Sequence, residues 1–399
     1  MSKEMIIIGG GPAGLMAADV LSPYHRVSLY EKGKTVGRKF LVAGKGGFNL
    51  TNSAQGAELK KEYAPAHFLD RVLDDFDSNA VRQWLNEMGI PTFVGSSGRV
   101  FPEKGIKPVE VLNRIREKLT SQGVQFFLEH EFVGFTEHQK PILRHRKQEF
   151  VPKADAYIFA LGGASWPVTG ATGHWRSAFD AIGITTLPFQ ASNCGIHVDW
   201  PDTISAHHAG KPLKNVSISA GGKTVKGEAL ITDYGLEGNA IYPIVPQVRS
   251  ALQKETSTQI YLDLKPNNTP EQLIKKLKGK TTDTQTYAKT LNLKNAQLAL
   301  LKAFTDKTVF QNPNALVHAI KQLPIPVHSL RPVEEAISTI GGIPIAALNP
   351  DFSLKGFPHL FAIGEMVDWD TITGGFLLQA CFAMGKGVGA SLSSPHDLH

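Results

Sequence analysis

The stretch from residue 5 to residue 14 reads Met-Ile-Ile-Ile-Gly-Gly-Gly-Pro-Ala-Gly, and it decides the fold. Its apolar, β-branched start predicts a buried strand, and its last six residues fit the pattern G-x-G-x-x-G. In this pattern Gly9 permits a tight turn, Gly11 lets a pyrophosphate approach the backbone, and Gly14 lets the next helix pack close to the strand. The stretch therefore predicts a dinucleotide site at the start of a helix, where free N–H groups attract phosphates.

The residues that follow complete a βαβ unit. Residues 12–21 carry apolar positions at helical spacing, and residues 27–30 form a second apolar strand. Glu31 ends this strand, 20 residues after Gly11. A carboxylate at this place accepts hydrogen bonds from an adenosine ribose, and it disfavours a 2′-phosphate. The unit therefore predicts FAD or NAD and not NADP.

A second glycine-rich element near the C-terminus favours FAD over NAD. Residues 360–363 form an apolar strand that stops at Gly364-Glu365, and Asp368 and Gly374-Gly375 precede a helical stretch from residue 376 to about residue 392. We expect this element to close over the same cofactor, with its acid bonded to a ribityl hydroxyl. The N-terminus of its helix would face the isoalloxazine ring. The alternative is a surface turn before a packing helix.

Length and composition fit a globular protein of two or three domains. The chain has 399 residues, a net charge of +6 and a pI of about 9.1. Its densest basic groups, at residues 144–147 and 275–280, predict solvated faces or, as the alternative, a phosphate-bearing partner. Cys194 and Cys381 lie far apart, so we expect no disulfide and place the chain in the reducing cytoplasm. No apolar run reaches the roughly 18 residues of a membrane span, so we expect no membrane partner.

Six motifs spread over nearly the whole chain carry a family resemblance. They are Gly9–Gly14; Gly37-Arg38-Lys39-Phe40-Leu41 through Gly44 to Asn49-Leu50-Thr51-Asn52; Gly98-Arg99-Val100-Phe101-Pro102; Ala160-Leu161-Gly162-Gly163 with Gly170 and Gly173; Thr339-Ile340-Gly341-Gly342; and Gly364-Glu365 through Asp368 to Gly374-Gly375-Phe376. In this combination the chain resembles the BaiN-like (YhiN-like) flavoproteins, to which aminoacetone oxidase is also similar.

The resemblance implies an α/β fold, in which a split Rossmann-type FAD-binding domain carries an inserted domain, part β-barrel-like and part helical. The composition changes near residues 189 and 335, which agrees with such an insertion. We therefore assign residues 1–188 and 336–399 to the FAD-binding domain and residues 189–335 to a substrate domain. Within the insertion, the predicted parts are a β-rich 189–235, a mainly helical 236–322 and a β-rich 323–335.

The resemblance also implies that residues 37–52 wrap the flavin, with Arg38, Lys39 and Asn49 near the pyrophosphate or the ring. Val133 would contact the adenine side through its backbone. The resemblance and the motifs together give the candidate cofactor-binding residues. These are Gly9, Gly11, Pro12, Ala13, Gly14, Glu31, Lys32, Arg38, Lys39, Gly44, Asn49, Thr51, Val133, Ala160, Leu161, Gly162, Gly364, Glu365, Asp368, Gly374, Gly375 and Phe376.

Two stretches differ from the family pattern. Residues 47–49 read Gly-Phe-Asn where many members carry Arg-Cys-Asn, so a redox-active cysteine near the flavin is absent. Residues 374–377 read Gly-Gly-Phe-Leu where many carry Gly-Gly-Tyr-Asn, so a polar contact is lost. Both differences indicate a divergent branch.

The catalytic residues are not assigned by any motif, because the flavin itself performs the redox chemistry. Lys45 is a candidate cation near the flavin, and solvent exposure is the alternative. His174 is a candidate general acid, and a surface or packing role is the alternative. The pair His207-His208 has no third ligand at a suitable spacing, so we expect no metal site.

The sequence thus predicts an FAD-dependent oxidoreductase, NAD(P)H-linked and acting on a small organic substrate. Residues 385–389 resemble a second glycine turn but fall inside a helical pattern, so NAD(P)H is expected to dock transiently. An amine or aminoketone oxidase using oxygen is the first alternative. The second alternative is an FAD-dependent module that binds RNA or protein. Apart from this alternative, we expect no nucleic-acid partner. Substrate and oligomeric state are left open.

Overall fold

A computed structural model describes residues 2–42, 48–280 and 283–393. The chain divides into two compact units, one formed by Met1–Gln190 with Ser338–His399 and the other by Ala191–Ile337. The first unit is α/β, and the second combines an antiparallel sheet with helices. The predicted α/β fold class is confirmed, whereas the role of the second unit as a substrate domain stays a prediction.

The first unit is organised by a parallel sheet and its helices. Its strands are β1 (Glu4–Ile8), β2 (Arg26–Glu31), β3 (Thr51–Asn52), β4 (Tyr63–Ala64), β5 (Thr92–Val94), β6 (Arg99–Pro102), β7 (Gln125–Leu128), β8 (His130–Phe135), β9 (Pro141–His145), β10 (Gln148–Phe150), β11 (Ala156–Phe159), β12 (Leu187–Ser192), β20 (Ser338–Gly342), β21 (Ser353–Leu354), β22 (Phe357–Ala362) and β23 (Asp370–Thr371). Its helices are α1 (Pro12–Leu21), α2 (Arg38–Val42), α3 (Gly56–Lys60), α4 (Asp70–Asp75), α5 (Ser78–Glu87), α6 (Pro108–Ser121), α7 (Arg176–Ala181) and α14 (Phe376–Ser393).

The sheet has the strand order β21-β22-β11-β1-β2-β7, in which the edge strand β21 is antiparallel to β22 and the other pairs are parallel. The strand β1 lies inside it and pairs in parallel with β2 and β11, with Ile8 opposite both Tyr30 and Phe159. Its apolar residues, Met5 to Ile8, are at most 4% exposed, as expected for a parallel strand covered on both faces. Because β22 pairs with β11, the N-terminal and C-terminal segments belong to one sheet.

The helices α1 and α14 pack unusually close to each other because glycines of α14 face α1. A Cβ atom on Gly385 would lie 2.4 Å from the carbonyl oxygen of Ala13, and one on Gly389 would lie 2.6 Å from Cβ of Val20. The glycines at 385–389 therefore serve helix packing, and they lie within α14 as the helical pattern predicted.

The second unit is built on an antiparallel sheet with the strand order β18-β17-β14-β15-β16-β13-β19. The two ends of this order, β18 and β19, are separated along the chain by His328 alone, so the sheet must curl back on itself as in a barrel. The strands of the unit are β13 (Ile196–His197), β14 (Pro212–Ala220), β15 (Lys223–Ile231), β16 (Gly235–Glu237), β17 (Thr258–Asp263), β18 (Leu323–Val327) and β19 (Ser329–Leu330). Its helices are α8 (Asp202–His208), α9 (Val245–Leu252), α10 (Pro270–Leu277), α11 (Thr284–Thr290), α12 (Asn295–Phe304) and α13 (Pro313–Lys321).

The stretch 189–235, predicted as β-rich, contains the strands β13, β14 and β15 together with the short helix α8. This helix carries an acid in its first turn, which favours a helix start. Among the described residues, no helix is long and apolar enough to cross a membrane.

Candidate active site

A cavity of about 430 Å³ opens at the carboxyl edge of the parallel sheet in the first unit. Residues that directly follow three of its strands line the cavity, namely Gly9 after β1, Ala160 after β11 and Ile363 after β22. Ligands of open α/β sheets bind at this edge, where strand ends and helix starts meet. The N-terminal and C-terminal segments of the chain therefore border the same cavity.

The glycine turn forms one wall of this cavity. Gly9 has a φ of +113°, and a Cβ atom there would lie 2.2 Å from the carbonyl oxygen of Ala160. A Cβ atom on Gly14 would lie 2.1 Å from the carbonyl oxygen of Gly9, so α1 can sit this close to the strand only with glycine. A Cβ atom on Gly11, in contrast, would meet nothing within 4 Å.

The N-terminus of α1 is open to an anion. Gly11 is its N-cap residue and supplies no side chain, and the first turn has no acid. The first N–H groups of a helix have no partner within the helix, and they carry a partial positive charge. Gly11, Pro12 and Ala13 all line the cavity, so its wall is suited to a pyrophosphate.

Glu31 is held in place by the backbone around it. Its Oε2 atom accepts a hydrogen bond from the N–H of Gly10 at 2.8 Å, and its Oε1 atom accepts one from the N–H of Gly33 at 2.7 Å. Each carboxylate oxygen can accept two hydrogen bonds. Glu31 therefore keeps acceptor capacity toward the cavity that it lines, as a ribose contact requires.

Lys39 and Glu365 form an ion pair that joins the two ends of the chain at the cavity. The Nζ atom of Lys39 lies 2.8 Å from Oε2 of Glu365 and also donates to Oγ of Ser165 at 2.6 Å. The side chain of Glu365 is 8% exposed and accepts a further hydrogen bond from the N–H of Thr339 at 3.1 Å. The positive charge of Lys39 is thus compensated within the protein.

Cys381 lies on α14 and lines the cavity with its buried side chain. Burial raises the pKa of its thiol to about 12, and the Glu365 carboxylate acts in the same direction. Nucleophilic and redox reactions of cysteine need the thiolate. Cys381 is therefore a packing residue at neutral pH.

We expect Cys381 of the folded protein to resist alkylation by iodoacetamide at pH 8, where about one thiol in ten thousand is ionised. Peptide mapping by mass spectrometry measures the modification, with the urea-unfolded protein as the control that reacts readily. In the folded protein the rate should rise about tenfold per pH unit up to pH 10. A rate that levels off below pH 10 would contradict the raised pKa.

An aromatic wall borders another part of the cavity. The rings of Tyr30 and Phe127 stack with centroids 4.6 Å apart, and those of His130 and His145 stack at 4.3 Å. Tyr30, His130 and the neighbouring Val133 line the cavity. Such a surface suits a flat heteroaromatic ring.

The structure places the predicted site residues in three groups. Those that line the cavity are Gly9, Gly11, Pro12, Ala13, Glu31, Lys32, Arg38, Lys39, Val133, Ala160, Leu161, Gly162, His174, Gly364 and Glu365. Those that lie outside its lining are Gly14, Asn49, Thr51, Asp368, Gly374, Gly375 and Phe376. Gly44 and Lys45 lie outside the described residues.

Two residues of the second group make contacts within the protein itself. Asp368 accepts a hydrogen bond from the N–H of Gly341 at 2.8 Å, so at least one of its oxygens is used within the protein. A Cβ atom on Gly375 would lie 2.2 Å from the carbonyl oxygen of Thr51, so this glycine is needed for a close backbone approach. The contact of Asp368 with a ribityl hydroxyl stays a prediction.

Sequence reasoning did not identify several residues of the lining. Tyr30 directly precedes Glu31 and could have been found from that position. Cys381 lies one turn and a half into the final helix, and His130 lies far from any motif, so neither gave a sequence signal. No group of three or more His, Cys, Asp and Glu side chains in the described ranges could hold a metal ion.

A parallel sheet with a glycine turn, an acid at the next strand and a cavity at its carboxyl edge is the arrangement of a Rossmann-type dinucleotide-binding protein. The chain belongs to the HI0933-like family, whose Rossmann domain matches residues 3–391. The predicted BaiN-like family is thereby confirmed, and so is the enzyme class, an FAD-dependent oxidoreductase.

Three similar proteins illustrate the relationship. The chain is 24% identical to the ribosomal RNA dihydrouridine synthase of Haemophilus influenzae over 98% of both chains. It is 24% identical to the 3-dehydro-bile acid delta(4,6)-reductase of Clostridium scindens, over 95% of this chain and 96% of the relative. The 3-ketosteroid-delta4-(5alpha)-dehydrogenase of Rhodococcus jostii RHA1 shares the fold, with a TM-score of 0.51 and 12% identity over 98% of this chain and 97% of the other.

Proposed function

We propose that the protein is an FAD-dependent reductase that takes electrons from NAD(P)H and saturates a carbon–carbon double bond conjugated to a carbonyl group. The observation that carries the proposal is the cavity itself, which both ends of the chain border. The names of the two relatives support the reaction class, because dihydrouridine and a reduced 3-oxo bile acid both arise by adding two hydrogens to such a bond.

The residues of the cavity fit FAD. Gly11 leaves the space that a Cβ atom would fill, and the N-terminus of α1 offers N–H donors for the pyrophosphate. Glu31 would hold the adenosine ribose, and the backbone of Val133 would face the adenine. Lys39, Arg38 and the remaining candidates of the lining would lie along the rest of the cofactor.

FAD, when bound, supplies two-electron chemistry between the nicotinamide and the substrate. The contribution of this chain is orientation and electrostatics. The pair of Lys39 and Glu365 fixes a polar wall without a net charge, and the buried Cys381 leaves the cavity free of a thiolate. His174 lines the cavity and is exposed, and its role as a general acid is part of the proposal.

The reductant is tested by mixing the anaerobic, FAD-loaded protein with NADH or NADPH. We expect one of the nucleotides to bleach the visible absorbance of the flavin within seconds. Addition of a conjugated enone, such as a 3-oxo-Δ4 steroid, should then restore the absorbance without oxygen. Bleaching by neither nucleotide would refute the NAD(P)H-linked proposal. Bleaching by an amine or aminoketone, with peroxide formed on exposure to air, would favour the oxidase instead.

A second candidate function is the reduction of uridine in RNA. Two relatives carry that activity in their names. In addition, residues 191–337 contain 17 Lys and Arg against 12 Asp and Glu, which gives this unit a net charge of +5. The whole chain has a net charge of +6, so most of the excess positive charge lies in this unit. A positive domain favours a polyanionic substrate. In the same anaerobic assay, a uridine-containing RNA would reoxidise the flavin and gain two hydrogen atoms in mass, whereas the enone would not react.

A further inference from the structure

A second cavity, of about 420 Å³, lies within the unit Ala191–Ile337. Three lysines line it, namely Lys214, Lys265 and Lys294. Much of the remaining polar lining consists of asparagine and glutamine amides, and none of the lining residues in the described part of the chain is Asp or Glu. We call this cavity the lysine pocket.

Two of the lysines are held by a single asparagine. The Nζ atom of Lys265 donates to the backbone oxygen of Asn292 at 2.6 Å, and the Nζ atom of Lys294 donates to its Oδ1 atom at 3.1 Å. Lys265 is half-buried, and this burial lowers the pKa of its ammonium group. The positive charges of Lys294 and Lys276 lower the pKa further. Each ammonium group has three N–H donors, so both can donate to a further acceptor.

The nearest acid in the sequence does not neutralise this charge. Asp263 lies two residues before Lys265, but its Oδ2 atom pairs with Nζ of Lys321 at 2.6 Å. Its Oδ1 atom accepts the backbone N–H of Lys265 at 2.8 Å. Both oxygens of Asp263 thus have partners, and this carboxylate does not offset the repulsion between the lysines of the pocket.

The helix α12 adds positive potential to the same pocket. It begins at Asn295, directly after Lys294, and Ala296 and Gln297 of its first turn line the pocket. The side chain of Gln297 accepts the backbone N–H of Lys294 at 3.1 Å. The N-cap residue itself is a lysine, whose ammonium group cannot accept the N–H groups of the first turn, and that turn contains no acid. A cation at a helix N-terminus is unfavourable, whereas an anion there is stabilised. An anion in the pocket would relieve both the helix and the lysines.

We propose that the lysine pocket binds a phosphate group. Phosphate oxygens accept several charge-assisted hydrogen bonds at once. Two partly used ammonium groups offer such bonds, and so do the first-turn N–H groups of a helix whose N-cap side chain is a lysine. The group could come from a free phosphorylated small molecule or from the phosphodiester backbone of RNA. The proposal rests on the second unit alone and is independent of the reductase activity.

The test is isothermal titration of the FAD-loaded protein at low salt with inorganic pyrophosphate and, separately, with a short single-stranded RNA. The pocket variant combines Lys265→Gln with Lys294→Gln. The control variant combines Lys302→Gln with Lys307→Gln, which removes the same charge from exposed residues of the same unit that do not line the pocket. We expect the pocket variant to weaken binding by about tenfold or more and the control by less than about twofold.

The two probes separate the sources of the phosphate. Binding of pyrophosphate that the pocket variant loses supports a free phosphorylated ligand, and binding of RNA alone with the same loss supports a phosphodiester. Binding of neither probe, or equal weakening by the pocket and control variants, overturns the proposal. If the double variant does not fold, the exposed Lys214→Gln serves in its place, with an expected loss of about threefold.

Discussion

Replacing Gly11 by alanine should give a folded protein that has lost most of its affinity for FAD. A Cβ atom at this position meets no protein atom within 4 Å, so the change does not strain the polypeptide itself. The new methyl group would instead extend into the cavity that Gly11 lines, in front of the N-terminus of α1. A pyrophosphate would then be held away from the N–H groups that should bind it.

The expected loss follows from the hydrogen bonds that would be weakened. A hydrogen bond to a charged group contributes about 1.5–3 kcal/mol. Loss of about 3 kcal/mol in total corresponds to roughly hundredfold weaker binding of FAD. Alanine is a poorer N-cap residue than glycine, which should lower the stability of the FAD-free protein by less than about 1 kcal/mol. Titration of the FAD-free protein with FAD and its thermal denaturation measure the two effects.

Gly134→Ala is the matched control. A Cβ atom there also meets nothing within 4 Å, but Gly134 does not line the cavity. This variant should bind FAD as the unmodified protein does. Equal affinities for Gly11→Ala and the unmodified protein would show that the pyrophosphate does not lie at this helix, and the proposed placement of the cofactor would be wrong.

The glycine turn shows how much of the site a local pattern can predict. The role of Gly14 follows from short-range geometry, since its missing Cβ atom would meet the carbonyl oxygen of Gly9, five residues earlier. The pattern also predicted a glycine at position 9, but the atom that its Cβ would meet belongs to Ala160, on a strand end far away in the sequence. Residues 385–389 were also predicted correctly as helical, although their purpose, close packing against α1, depends on a segment more than 360 residues away.

The parts of the site that depend on long-range contacts had no local signal. The pairing of Lys39 with Glu365 joins residues that are 326 positions apart, and no feature of the sequence near either residue indicates the other one. In the sequence, Cys381 has the pattern of a buried apolar residue in a helix, and its position at the cavity follows only from the fold. The lysine pocket likewise combines residues from separate strands and loops, whereas the sequence drew attention to the denser basic run at 275–280, none of which lines the pocket.

The stretch 65–88, whose apolar positions suggest one amphipathic helix, shows the opposite case. The structure has two helices there, because Asp77 caps the start of α5 by accepting the N–H of Ala80 at 2.9 Å. A capping aspartate inside a helical pattern is a local signal for an interruption. The interruption can therefore be read from the sequence, although the spacing of apolar residues alone would predict a single helix.

Glu365→Gln should lower both the stability of the first unit and its affinity for FAD. The substitution keeps the shape of the side chain but places an NH₂ group or a neutral oxygen where Lys39 requires a carboxylate. The ammonium group of Lys39 would lose its counter-charge while its side chain stays 28% exposed at the cavity. Because the acid is buried and the lysine is partly exposed, the loss should lie between that of an exposed pair and that of a buried pair, at about 1–3 kcal/mol, which for a unit of this size lowers the melting temperature by roughly 2–12 °C.

Two comparisons separate this explanation from a general effect of removing an acid. Asp74→Asn breaks the exposed pair with Lys60, whose N–O distance is 2.7 Å, and should leave the melting temperature nearly unchanged, because exposed ion pairs contribute little to stability. Adding Lys39→Met to Glu365→Gln removes the uncompensated charge, so the double variant should be more stable than Glu365→Gln alone. Additive losses in thermal denaturation would mean that the two side chains act separately. The ion pair would then not be what holds the C-terminal segment at the cavity, and the loss of FAD affinity would need another cause.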